Sequence, residues 1–369
     1  MAADPATGAC PGMSELKALT GARGIAAWLV VFFHLRHSLV GVPAPVMAVL
    51  DKGYLAVDFF FLLSGFVIAL AWGPRFAAEG WRAVLPFLRK RFARVVPLHW
   101  FVLAGTVVLA AAMGLSGREV GDQFPWGALP LHVVLVQSWG TGHALAWNDP
   151  AWSISAEFAA YLLFPVAAVS VDWRRRSTGL ALLAIAVATL AVALLLASRG
   201  EHGMNGDVGQ YGVARCIGEF TSGTIVAALY LRWHAVPGVA VGAALIGLTM
   251  LGGFAAGWLN ELLAAPVGFA ALLLALALTA GRAGNMLEGR WVHWLGEVSY
   301  ATYLAHYPMW FVFKLLFVTD AAAAPWGVVM AYFGAVVVAS GLLYRFVERP
   351  AQRWVNGLGR VPVRRAVRG

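Results

Sequence analysis

The sequence predicts an all-α fold, a polytopic membrane bundle of about ten transmembrane helices with both termini in the cytosol. Three observations lead there. Of the 369 residues, 60% are hydrophobic and 12% charged, with 16 Trp and a mean hydropathy of +0.74, about half the charge of a soluble domain. The apolar residues fall in runs close to twenty long, the length that crosses a bilayer core of roughly 30 Å. The basic residues cluster between those runs, on alternate sides. The net charge of +9 is therefore read as the positive-inside bias of membrane proteins; it gives no basic face for nucleic acid.

Taken in order, spans are expected at 17–40, 54–73, 94–113, 152–170, 178–198, 213–232, 237–257, 261–281, 294–317 and 326–347. Residues 1–15 form a cytosolic tail without the basic start and small-residue cleavage site of a signal peptide, so the first helix is expected to stay as an anchor. Residues 16–349 are the membrane domain, and 350–369 a basic cytosolic tail suited to anionic headgroups. Residues 126–140 are apolar but short, which suits a re-entrant or interfacial segment. Ten spans place 21 of the 27 Lys and Arg on the cytosolic side and leave Arg36, Lys52, Arg118, Arg199, Arg215 and Lys314 outside; an eleventh span would move Arg174, Arg175 and Arg176 outward against the bias. Two cysteines in unlike settings, Cys10 and Cys216, make neither a disulfide framework nor a metal motif.

Polar residues inside apolar spans mark function, because lipid does not tolerate them. The first helix carries Arg23 and His34, eleven residues apart, hence three turns plus about 20° and on one face, roughly 16 Å apart along the axis. The second carries Asp58 at its start and Ser64-Gly65 inside; the third is entered through Arg91 and Arg94. The fourth opens Trp152-Ser153-Ile154-Ser155-Ala156-Glu157, and the ninth holds Tyr300, Tyr303 and His306.

Together these segments resemble the acyltransferase-3 family of integral-membrane O-acyltransferases over about residues 15–350. The resemblance rests on the Arg, ten residues, His pattern of Arg23 and His34, on Phe-Phe-x-x-Ser-Gly-Phe at 60–66, and on Arg-x-x-Arg-x-x-Pro at 91–97. It rests further on Trp-Ser-x-Ser-x-Glu at 152–157, Ser-Tyr-x-x-Tyr-Leu-x-His-x-Pro at 299–308, and Glu348-Arg349-Pro350. It implies acyl transfer from cytosolic acyl-CoA, a co-substrate with no permanently bound cofactor and no metal, to a hydroxyl of a glycan, glycolipid or other extracytoplasmic acceptor. The bacterial inner membrane is the expected place and acetyl the expected group.

Such a transfer needs a base, donors for the developing oxyanion and a hold on the acyl donor. His34 is the candidate base, since neutral imidazole is available near pH 7. Glu157, expected at the same end of the membrane, is the candidate to orient that imidazole or to fix acceptor hydroxyls; its competing role is a helix-start carboxylate with Ser153 as cap. Arg23, Arg91 and Arg94 suit the phosphates of coenzyme A; topology-setting charge is the alternative for the last two and snorkelling to headgroups for Arg23. Asp58, Ser64, Ser153, Ser155, Tyr300, Tyr303 and His306 are candidate acceptor or cavity residues. Ser64-Gly65 equally fits close helix packing, and Ser64 as a nucleophile has no base beside it in sequence. Glu348-Arg349-Pro350 is read as the end of the last helix with an ion pair. The rival classes are a glycan or lipid transporter, whose paired broken helices are not seen, and a membrane scaffold without catalysis, against which Arg23, His34 and Glu157 stand.

Overall fold

Every predicted run contains a helix in the computed structural model, which describes residues 16–118 and 121–358; expectations for residues 1–15, Cys10 and the tail beyond 358 lie outside these. Fourteen α-helices and no strand occur among the described residues. In order they are α1 Lys17–Leu35, α2 Ala44–Asp51, α3 Ala56–Glu79, α4 Val84–Leu115, α5 Leu129–Val133, α6 Ala151–Ser170 and α7 Thr178–Ala197. Then follow α8 Val208–Trp233, α9 Val239–Ala255, α10 Glu261–Thr279, α11 Arg290–Glu297, α12 Ser299–Phe317, α13 Trp326–Leu343 and α14 Arg349–Gly357.

Six helical segments among the described residues are long and apolar enough to cross a membrane, where ten spans were expected; one of the six, Ala44–Leu115, contains both α3 and α4. The physical reason for the shortfall is visible in the others. Helix α8 buries Arg215 and Glu219, α12 buries Ser299, Thr302 and His306, and α9 has 17 residues. Polar side chains turned into the bundle lower apolarity without touching lipid.

Three boundaries differ from expectation. Helix α4 begins at Val84, so Arg89, Arg91 and Arg94 stand on its first turns and not in a loop. The ninth run breaks at Val298 into α11 and α12. Glu348-Arg349-Pro350 does not end the chain's helical course: a π-helical turn, Tyr344–Glu348, leads into α14, whose first turn holds Pro350, where a missing N–H costs nothing.

Close backbone approach fixes the bundle at two places. A Cβ on Gly65 would sit 2.0 Å from the Phe220 carbonyl oxygen, and one on Gly223 2.0 Å from that of Leu62, so α3 and α8 touch main chain to main chain. The packing reading of Ser64-Gly65 is the one seen. Gly24 and Gly296 do the same for α1 and α11. Residues 126–140 form a 3-10 turn, the short α5 and further turns; they cap one end of the bundle. There His99 Nε2 lies 2.8 Å from the His132 carbonyl, and Ser155 donates to the Leu135 carbonyl at 2.9 Å.

Candidate active site

Helix α1 runs beside α11 and α12, and this sets the surroundings of both its polar residues. Near one end the Arg23 guanidinium donates to the Gly296 carbonyl (2.6 and 3.1 Å) and to Ser299 Oγ (2.9 Å). The Val298 break exposes that carbonyl, since a helix end leaves its last C=O groups without intrahelical partners. At the other end His34 Nδ1 lies 2.9 Å from the Val30 carbonyl and 3.2 Å from His306 Nε2 of α12. Its Nε2 faces Asp149 Oδ1 at 3.6 Å.

Asp149 is held by its neighbours in sequence. Asn148 donates to the Leu304 carbonyl of α12 (3.0 Å), and Ala151 N to the Asn148 carbonyl (2.9 Å), so the Asn148-Asp149-Pro150 turn is fastened just before α6. Trp147, directly upstream, has φ 62°, a left-handed conformation costly for a bulky side chain and a mark of functional segments. His34, Asp149, Arg36, Tyr54, Asp122, Trp152 and Tyr307 line a cavity of about 1150 Å³.

A second, narrower cavity of about 160 Å³ is lined by Arg23, Arg91, Arg94, Ser64, Ser153, Glu157, Tyr161 and Tyr300. Here Tyr161 donates to Glu157 (2.6 Å), Tyr300 to the Val95 carbonyl (2.7 Å), and Arg94 pairs with buried Glu348. Arg91 Nε is buried and makes no hydrogen bond. Tyr303 and Val57 line both cavities; the Tyr303 hydroxyl lies 2.7 Å from Ser153 Oγ and donates to the Pro150 carbonyl at 3.1 Å.

The structure thus brings Arg23, Arg91 and Arg94 to one cavity with Glu157, while His34, whose imidazole Glu157 was a candidate to orient, lines the other. Glu157 is the seventh residue of α6, and Ser153, the third, donates to the Pro150 carbonyl, so neither caps the helix start. Asp58 lines neither of these two cavities: it is fully buried and grips Arg215 bidentately at 2.5 and 2.5 Å. Arg215, expected as an outside charge, is buried in α8 and reaches the large cavity from there. Ser155 is fully buried against the 131–139 turns and lines neither of these two cavities. Ser64 has Tyr161 at 3.5 Å and Glu157 in contact, with no imidazole beside it. Sequence reasoning missed Asp149, Tyr161 and the buried role of Arg215 with Glu219. A charged pair four residues apart within an apolar run was the available signal for the last two.

Outside the spans, Arg174 hydrogen-bonded to Asp172 holds that carboxyl below its ordinary range. Burial, with His99 nearby, pushes His132 down to about 4.

The profile of the family described as "Acyltransferase domain" matches residues 16–345. "Acyltransferase MdmB" of Streptomyces mycarofaciens is 31% identical over 93% of this chain and 93% of its own length. YrhL of Bacillus subtilis (strain 168), proposed to be a peptidoglycan O-acetyltransferase, is 23% identical over 91% of this chain, which spans 54% of that longer protein. "Protein 2 in picA locus" of Rhizobium radiobacter is 43% identical over 86 residues, 23% of this chain and 41% of that one. No solved structure gives a significant match. With a multi-pass helical fold and a family profile covering most of its length, this chain belongs to the acyltransferase-3 family of membrane acyltransferases.

Proposed function

We propose that this protein moves an acetyl group from cytosolic acetyl-CoA to a hydroxyl of a glycan, glycolipid or glycosylated molecule on the outer side of a bacterial cytoplasmic membrane. The observation that carries the reading is the meeting of two unlike cavities at Tyr303: a narrow one with three arginines, and a roomy one with His34 and Asp149. The arginine cavity suits the phosphates and thin pantetheine arm of the donor, with Arg91 leading because its Nε has no partner. The large cavity suits an acceptor many atoms across.

His34 Nε2 takes the proton of the acceptor hydroxyl as its oxygen attacks the thioester carbonyl. The carbon–sulfur bond breaks, and the proton passes from imidazole to the departing thiolate, so no proton is gained or lost overall. Asp149 stabilises the imidazolium formed between these steps. Tyr303, a wall of both cavities whose hydroxyl is held by Ser153 and Pro150, stands where the thioester meets the hydroxyl. Glu157 acts on the donor side, holding Tyr161 beside Arg91. The peptidoglycan O-acetylation proposed for YrhL supports an O-acetyl product on a glycan.

The test is release of free thiol from acetyl-CoA by purified protein in lipid nanodiscs, with glycan and glycolipid fractions as acceptors. His34→Ala is expected to lower the rate at least about 100-fold, the share of a general base, while the protein stays inserted. Full activity in that variant removes His34 from the chemistry.

A further inference from the structure

Helix α12 presents His306 to His34, and the two imidazoles together fix where every ring proton lies. His306 is fully buried, and its Nδ1 lies 3.1 Å from the Thr302 carbonyl one turn upstream. A carbonyl only accepts, so Nδ1 of His306 carries the hydrogen and, in the neutral ring, Nε2 carries the lone pair. His34 repeats the arrangement: Nδ1 lies 2.9 Å from the Val30 carbonyl, so this nitrogen carries the hydrogen. The Nε2 lone pair of His306, 3.2 Å away, is a second acceptor for that same hydrogen. The remaining nitrogen of His34, Nε2, is then a lone pair aimed at the large cavity.

We infer that His306 is a positioning residue for His34, a neutral buried imidazole whose lone pair shares the Nδ1 hydrogen and keeps the basic Nε2 turned into the cavity. The Val30 carbonyl alone does not hold the ring. The alternative tautomer has an attraction of its own, because an Nε2 hydrogen would point at Asp149 Oδ1, 3.6 Å away. His306 tips the balance by giving the Nδ1 hydrogen two acceptors against one. It also gives the imidazolium formed during transfer a second partner for the proton it retains, a role that a carboxylate fills in other hydrolases and transferases. A buried imidazole does this without placing another charge in the bundle.

The groups around the pair fit. Asp149 faces His34 from the turn before α6; Tyr307 packs on the His34 ring at 5.2 Å and Tyr303 on the His306 ring at 6.1 Å, both from α12. Tyr332 of α13 donates to the His306 carbonyl at 3.0 Å, and Phe33 of α1 stands edge-on to His34. Asp149 is the carboxylate of this set, and it meets His34 rather than His306.

This inference deepens the transfer reading and rests on it for its catalytic meaning, yet its test needs no substrate. Nitrogen-15 spectra of histidine-labelled protein in lipid nanodiscs at pH 8, assigned with His34→Gln, report the tautomer of each ring. The expected result is the Nδ1–H form for both His34 and His306 in the unmodified protein. In His306→Leu the His34 signals spread over both tautomers, and in His306→Gln, whose amide oxygen accepts the same hydrogen, a single Nδ1–H set returns. An Nε2–H form of His34 in the unmodified protein overturns the inference, as does an unchanged His34 spectrum in His306→Leu. If the leucine variant does not fold, His306→Phe, an aromatic ring of similar size with no acceptor, takes its place with the same two outcomes. Thiol release is measured separately, so a failure of the acetyl-CoA reading leaves a different signature.

Discussion

At the scale of single residues, the arginines of the narrow cavity differ in what they have to offer. Arg23 spends hydrogen bonds on Gly296 and Ser299, and Arg94 is paired with Glu348. Arg91 stacks near Phe87 and Tyr161 and leaves Nε without a partner. A lysine there keeps the charge that sets topology but loses the planar fork that grips phosphate. Arg91→Lys is therefore expected to raise the KM for acetyl-CoA about tenfold, a loss of roughly 1.4 kcal/mol, with little change in kcat. Thiol-release kinetics check it, and an unchanged KM assigns Arg91 to topology alone.

Which residues were legible at this scale follows from what a sequence encodes. The shared face of Arg23 and His34 is a property of one helix, and helical periodicity reports it. The three-residue step from Tyr303 to His306 is of the same kind. The separation of Glu157 from His34 is not, because it depends on the rotation and depth of α6 relative to α1, which no single-helix pattern contains. Asp149 lay hidden for a related reason: it sits in a turn, and ties to α12, from Asn148 to Leu304 and from Tyr303 to Pro150, bring that turn to His34. Arg215 was visible as a charge in an apolar run, but its partner Asp58 is 157 positions away.

At the scale of elements, the apolar runs announced the helices, and the breaks within them were silent. Val298 looks like any membrane residue, yet the interruption there releases the Gly296 carbonyl that receives Arg23. The turns over residues 121–150 carry their own signature in His132, which is fully buried and held neutral. An ordinary histidine titrates near 6.5, so as pH falls from about 6.5 toward 4 the unfolded segment binds a proton that the folded one refuses. Stability from this group is present above the unfolded value and declines as pH drops through that window, by up to about 1.4 kcal/mol per pH unit. Protection factors of residues 129–138, the exchange rates divided into their intrinsic values at each pH, are expected to fall from pH 6.5 to 4.5, and to fall much less in His132→Gln. An equal fall in both proteins assigns the effect elsewhere.

At the scale of the whole molecule, the charge pattern makes a claim about orientation. The 171–177 connection between α6 and α7 carries Arg174, Arg175 and Arg176, and the arrangement proposed for function sets it in the cytosol. Arg199 follows α7 at the opposite end. Arg175 has a side chain 83% exposed, Arg199 is exposed, and Cys216 is buried, so introduced thiols report cleanly. In a Cys10→Ser background and intact cells, Arg199→Cys is expected to react with a membrane-impermeant maleimide and Arg175→Cys to react only after lysis. The reverse pattern inverts the bundle and exchanges the donor and acceptor sides.

Tyr303 gives that orientation a further consequence. A protein that receives one substrate from each face of a membrane risks becoming a pore, and a pore would dissipate the ion gradients of the cell. The two cavities share Tyr303 and Val57 as a common wall. In the transfer proposed above, the aromatic ring, anchored through its hydroxyl to Ser153 and Pro150, is the septum: one side chain stands between the two compartments, and the group handed across has only that thickness to pass.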